Sequence, residues 1–305
     1  MPHKIKLRVP GSTSNLGAGF DALGLAVALP LEVVFHFNTA STQILSVSGE
    51  GAEEILRVDD HLILHAFQRA CRELRRPTPE VALEIENQIP LQRGLGSSAA
   101  AIVAGLLAAQ IYFENAFSPQ QILDLAGELE GHPENASASL RGGFTINGVE
   151  NGQVICENFA PPENWAAAGF IPDLKIATAD ARRMLPPSLS RQEAVGNVQS
   201  AAMMVAAFAQ ANPKLLAFAA KDYLHQPYRK HLVPGFDTIC EAAMHNGAYC
   251  AFLSGSGSTL LAICESRRAP KIAQTMAQAA RAHGLTGRPR ALSFSAQGAS
   301  WEDSS

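Results

Sequence analysis

Cysteine is scarce in this 305-residue chain: there are five, at positions 71, 156, 240, 250 and 264, an odd number with no C-x-x-C pair among them. That argues against a disulfide framework and a thiolate zinc cluster, and it is the usage expected in a reducing compartment. Basic runs are missing too. With a net charge of −4 and no stretch of five consecutive Lys or Arg, there is no electrostatic footprint for nucleic acid. The longest apolar stretch, residues 99–113, contains Gln110 and falls short of the ~20 residues a membrane span needs, so it is expected to be a buried helix. The first residues run into a strand-like segment without the apolar core of a signal peptide. The expectation is a cytoplasmic protein with neither nucleic acid nor membrane as partner. What is present, 47% hydrophobic and 17% charged residues, suits one large or two ordinary globular domains.

The chain is organised around residues 90–113. Residues 81–89 alternate apolar and polar, as a half-buried strand should. Pro90, Leu91, Gln92, Arg93, Gly94, Leu95, Gly96, Ser97, Ser98, Ala99 and Ala100 follow, and the apolar run begins there. Gly94 and Gly96 permit backbone conformations closed to other residues. Ser97 and Ser98 open a helix whose first N–H groups lack intrahelical partners. Free N–H donors at the positive end of a helix dipole make an anion site. A phosphate is the expected ligand, with the serine hydroxyls as further donors or magnesium ligands. The bland reading is a tight turn that binds nothing. Gly94, Gly96 and Ala99 also fit a dinucleotide fingerprint, but a second helix opens at the Ser118–Gln121 capping box where that fold requires a strand. No lysine follows Gly96, so the P-loop pattern is absent.

Taken in order, residues 4–9 read as a strand leading into a polar, glycine-rich loop over residues 10–21, in which Asn15 and Asp21 offer an amide and a carboxylate. Residues 31–37 and 43–47 read as a hairpin. Asp59 and Asp60 are placed to cap a helix reaching about Arg76, with His61 and His65 four apart on it; without a neighbouring glutamate or a third ligand this is a poor zinc site. An amphipathic helix over residues 118–130 ends in Glu128, Glu130, His132, Glu134 and Asn135, where carboxylates could hold magnesium against nearby phosphates. Asn151–Gly152 signals a hairpin. Composition shifts at residues 150–170, which sets expected domains at 1–160 and 161–305. Beyond it, residues 174–178 read as a strand, a short helix stops at Pro186, and residues 194–211, 214–223, 236–245 and 270–283 read as helices. Strands at 250–253 and 260–264 flank a second Gly/Ser loop, which includes Gly255, Ser256 and Gly257. Residues 299–305 are expected to fray.

Three of these stretches, residues 10–21, 90–100 and 253–259, resemble in this order the signature of the GHMP kinases, small-molecule kinases without a Walker motif. Residues 130–135, 178–186 and 225–229 resemble the homoserine-phosphorylating branch of that family. The likeness covers residues 9–264. It implies an α+β fold of two domains, an N-terminal ribosomal-S5-like ATP-binding domain and a C-terminal ferredoxin-like domain, with the site between them. It implies ATP and Mg2+ as cofactors, L-homoserine as substrate on the route to threonine, and a homodimer. By resemblance the residues from Pro90 to Ala100 wrap the ATP phosphates, with Ser98 and Glu130 as magnesium ligands and Glu128 the alternative. Asp21 meets the substrate ammonium, Asn15 the reacting side chain, and Arg182 and Arg229 the carboxylate. His132, Asn135 and Thr178 complete the pocket. The chain departs from the family pattern at His61, Glu134 and Ser258, where asparagine, aspartate and proline are usual; the last change implies a less rigid loop.

Overall fold

The computed structural model describes residues 2–57 and 61–303. In chain order the elements are β1 (Lys4–Asn15), β2 (Gly19–Phe37), β3 (Gln43–Gly49), α1 (Ala52–Arg57), α2 (Leu62–Glu73), β4 (Val81–Asn87), α3 (Ser97–Tyr112), α4 (Pro119–Glu130), α5 (Pro133–Arg141), β5 (Phe144–Glu150), β6 (Gln153–Phe159) and β7 (Trp165–Pro172). There follow α6 (Thr178–Arg183), α7 (Arg191–Ala209), α8 (Leu216–Ala219), α9 (Gln226–Arg229), α10 (Phe236–His245), β8 (Cys250–Leu253), β9 (Leu260–Glu265), α11 (Ala269–Ala282), β10 (Gly287–Ser293) and β11 (Ser300–Asp303).

The fold is α+β around two sheets. The larger runs β11-β1-β2-β4-β3, with the hairpin β5–β6 attached to β2. The smaller runs β10-β7-β9-β8 and is antiparallel throughout. Helix α3 is apolar on every face, so it can only be a buried helix. It packs against α2, α4, α5 and β1, and eleven of its residues, Ala99 to Tyr112, are buried. Its partner α4 starts on the expected capping box: Ser118 Oγ accepts from the Gln121 amide while Gln121 Oε1 accepts from the Ser118 amide. The β5–β6 turn is Asn151–Gly152, both with positive φ (52° and 81°), as a two-residue hairpin requires.

Several sequence expectations change. Residues 10–21 are not an open loop: β1 and β2 form one long antiparallel hairpin whose turn is residues 16–18. The segments 31–37 and 43–47 do not pair with each other. β4 lies between them, and β3 runs parallel to β4 as a mostly exposed edge strand. The stretch 174–178 is not a strand. Carbonyls on either side of its start are taken by side chains, those of Pro172 and Asp173 by Arg93 and that of Leu174 by Ser258. The helix expected over 214–223 ends at Ala219; Asp222 then caps the amides of Leu224, His225 and Gln226. The C-terminal residues do not fray through 303, since Trp301 sits opposite Leu7 as β11 closes the edge of the larger sheet. The capping role expected of Asp59 and Asp60 lies outside the described residues.

Candidate active site

The loop from Gly94 to Ser97 is locked by contacts that leave no room for side chains at its two glycines. Gly94 has φ 73°, and a Cβ there would lie 2.0 Å from the Ser254 carbonyl oxygen. Gly96, the N-cap of α3, has φ 71°, and a Cβ there would lie 2.1 Å from Ser12 Oγ. Both conformations are ones glycine adopts without steric penalty. The second Gly/Ser loop closes over the first: Ser254 Oγ is 2.8 Å from Thr13 Oγ1 and 2.5 Å from the Gly94 carbonyl, and the Thr259 amide donates to Arg93 O. The three stretches singled out in the sequence thus form one hydrogen-bonded unit.

That unit borders a cavity of about 370 Å3 that runs from Pro90 and Ser97 to Thr178, Arg182 and Arg229. At one end stands the open N-terminus of α3. Ser98 Oγ donates to Glu130 Oε1 at 2.6 Å. Burial pushes the Glu130 carboxyl upward, because losing water penalises its anion. Glu128 instead faces Arg69 on an outer surface, which favours Glu130 of the two. Next to it, His132 Nδ1 is 3.1 Å from Glu134 Oε1 but off hydrogen-bond alignment, and its Nε2 is 4.0 Å from Glu130. Burial alone would lower the His132 pKa; the two carboxylates outweigh it and hold the imidazole above its ordinary range. Glu134 is 2% exposed, and its Oε2 is buried without a partner.

At the other end, Asp21 and Arg182 form a bidentate ion pair at 2.7 and 3.0 Å. Burial works against the Arg182 charge, and Asp21 more than compensates, so its pKa rises. Arg229 is almost wholly buried; desolvation, aided by Arg182, pushes its pKa down to about 10. Both guanidiniums lie over the ring of Phe20, at 5.4 and 5.1 Å. Asn15 holds the turn, with Oδ1 accepting from the Asp21 amide and Nδ2 donating to Gly255 O. Asn15 and Asp21 both have positive φ (69° and 56°), strain of the kind that clusters at functional sites. Thr178 Oγ1 is 3.4 Å from Ser256 Oγ across the mouth.

All seven expected substrate residues line the cavity, as do Pro90, Arg93, Gly94, Leu95, Gly96, Ser97, Ser98, Glu130, Gly255 and Ser256. Ala99 and Ala100 are buried beneath it. Arg93 braces the loop, its guanidinium donating to the carbonyls of Leu91, Pro172 and Asp173. Asn135 is held from below by Ser12 and Ser14. His61 is buried at the rim, its Nε2 donating to Ile55 O. Ser258 is buried with its hydroxyl bonded to Leu174 O, an anchor a proline could not supply. Sequence reading gave no role to Phe20, Ser12 or Ser14. The one signal for Phe20 was an aromatic beside Asp21 in an otherwise small and polar stretch.

A helix N-terminus opened by two constrained glycines faces a pocket that carries both signs of charge. The family models for the GHMP kinase N-terminal and C-terminal domains match residues 61–143 and 204–282. The chain is 38% identical over 295 residues to the homoserine kinase of Desulfitobacterium hafniense, covering 97% of this chain and 99% of that one. It is 40% identical over 299 residues to the homoserine kinase of a Synechococcus, covering 97% of each. Among solved structures, the homoserine kinase of Cytophaga hutchinsonii superposes with a TM-score of 0.88 at 27% identity over 99% of this chain and 98% of that one. The mevalonate kinase of L. major, at 14% identity and TM-score 0.70 over 94% and 95% of the two chains, shares the fold. The chain belongs to the GHMP kinase family.

Proposed function

We propose that this protein is a homoserine kinase, transferring the γ-phosphoryl group of ATP to the side-chain hydroxyl of L-homoserine in cytoplasmic threonine biosynthesis. The observation that carries this reading is the convergence of Asp21, Arg182 and Arg229 around Phe20 in the cavity that also holds the N-terminus of α3. An amino acid needs a carboxylate partner and an ammonium partner, and both are present.

The amides at the start of α3 and the residues from Gly94 to Ser98 would receive the phosphates. A divalent cation fits the far end: Ser98 and the buried Glu130 carboxylate are hard oxygen donors. Among the described residues no cluster of three or more His, Cys, Asp or Glu side chains could hold a metal alone, so phosphate oxygens and water would complete the shell of a Mg2+ ion there. When bound, Mg2+ neutralises charge on the transferring phosphoryl group. The ammonium of homoserine would meet Asp21 and its carboxylate Arg182 and Arg229, guanidiniums being strong charge-assisted donors to a carboxylate. Because Asp21 and Arg182 already neutralise each other, a zwitterion can insert with both charges matched. An alcohol lacking either charge leaves one of them unpaired. Asn15 and Thr178 border the position of the reacting hydroxyl, and His132, Asn135 and Glu134 wall it from below. Orientation and charge neutralisation account for most of phosphoryl-transfer catalysis, and no side chain is assigned as general base.

The test is ADP release from Mg-ATP with homoserine, serine, threonine, mevalonate and shikimate. Selective turnover of homoserine is expected. Preference for mevalonate or shikimate would retain the phosphate end and overturn the amino-acid end; no turnover with any of them would overturn the kinase reading.

A further inference from the structure

We propose that His225, a neutral and fully buried histidine behind the cavity, is the positioning residue that aims Arg229 at the substrate carboxylate. The inference rests on the homoserine reading above.

The hydrogen bonds determine the tautomer. His225 Nε2 lies 2.8 Å from the Gly17 carbonyl oxygen. A carbonyl can only accept, so Nε2 carries the proton. His225 Nδ1 lies 3.4 Å from Arg229 Nη1. A guanidinium can only donate, so Nδ1 is the acceptor and the ring is neutral. A second proton on Nδ1 would point at a cation inside a site with 0% exposure. Burial and the Arg229 charge both oppose it, against Asp222, whose Oδ2 is 3.4 Å from Nε2. The ring is held from a third side by Phe20, with centroids 5.4 Å apart.

The consequence falls on Arg229. Its Nε donates to Ala181 O at 3.2 Å, and its Nη1 serves both Gly255 O at 3.3 Å and His225 Nδ1. With those donors committed, the Nη2 edge remains for a carboxylate in the cavity. Gly17 belongs to the β1–β2 turn that presents Asp21, and Asp222 caps the chain leading into α9. One imidazole therefore joins the ammonium side of the site to its carboxylate side. It reaches the substrate only through Arg229, so its loss should weaken recognition of one substrate group and leave the phosphate end unchanged.

The discriminating measurement compares kcat/KM for homoserine with that for homoserinol, its analogue lacking the carboxylate, in the wild type, His225→Leu and His225→Gln. The ratio reads the carboxylate interaction alone. His225→Leu should lower the ratio about tenfold, the size of one charged hydrogen bond, with the KM for ATP unchanged. His225→Gln keeps one donor and one acceptor and should restore much of the ratio. Thermal unfolding of each variant reports folding separately, and if His225→Leu does not fold, the glutamine variant's ratio against wild type together with that of His225→Asn, whose shorter amide cannot span both partners, decides. A wild-type ratio retained in His225→Leu, or equal losses for both substrates, would overturn the positioning role and leave the homoserine reading standing. A wild-type enzyme that does not prefer homoserine over homoserinol would overturn the reading of the carboxylate site, and this inference with it.

Discussion

At the α3 end of the cleft, one unbroken stretch from Pro90 to Ser98 turns at two glycines and feeds its amides into a buried helix. At the end proposed for the amino acid, Asp21 comes from β2, His132 from the start of α5, Thr178 and Arg182 from α6, and Arg229 from α9. The first end is local and made largely of backbone. The second is assembled from side chains that only the packing of the two sheets and their helices brings within reach. Local construction tolerates no added atoms, whereas assembled construction depends on charges that must be balanced by one another.

The largest effect is expected at Gly94. Gly94→Ala forces a Cβ against the Ser254 carbonyl at a positive φ, a strain of about 1–3 kcal/mol. With the loop displaced, kcat should fall about a hundredfold, together with the midpoint of thermal unfolding; near-normal turnover would show that the clasp between the two loops is dispensable. Arg229→Ala should act at the opposite end, raising the KM for homoserine about thirtyfold, as the loss of a charged hydrogen bond implies, while the KM for ATP stays within about twofold. A parallel rise for ATP would mean that the two ends are not separable.

Glu130→Gln acts at the α3 end alone. It should raise the Mg2+ concentration for half-maximal activity about tenfold without altering the preference for homoserine over serine. The pH dependence of stability separates the ends in another way. His132 has a raised folded-state pKa against an ordinary value near 6.5. Its contribution is therefore fully present below the unfolded value and is lost as pH rises through the folded one. In denaturant titrations, His132→Gln should flatten the stability decline above about pH 6.5; an unchanged slope would remove the imidazolium between Glu130 and Glu134. The smallest effect belongs to Ser118→Ala at the capping box of α4, which should lose about 1 kcal/mol of stability and leave both KM values untouched.

Legibility followed the same division. The glycine turn before α3, the capping box, the Asn151–Gly152 turn and α3 were readable because each is written in neighbouring residues with a fixed physical meaning. Asp21 was readable as a carboxylate in a polar, glycine-rich stretch, but its expected partner, and Arg229 altogether, came only through likeness to a family. Their pairing partners were not readable at all: nothing near Asp21 names Arg182, and nothing near Arg229 names Phe20. Two of the misread segments were decided by residues from elsewhere in the chain. Residues 174–178 look like a strand by pattern, but their neighbourhood is claimed by Arg93 and Ser258 from elsewhere. The segments 31–37 and 43–47 are close in sequence, but the largely buried β4 comes between them.

By itself, the sequence determined the glycine-opened helix N-terminus, the buried character of α3 and the chemical types available to the site, since backbone freedom at glycine, capping and hydrophobic pattern act within a few residues. Only the tertiary structure decided that Asp21 and Arg182 neutralise each other, that Glu130 rather than Glu128 faces Ser98, and that a neutral His225 stands behind Arg229. Those outcomes depend on distances between remote side chains and on the water excluded around them, and neither is encoded by position along the chain.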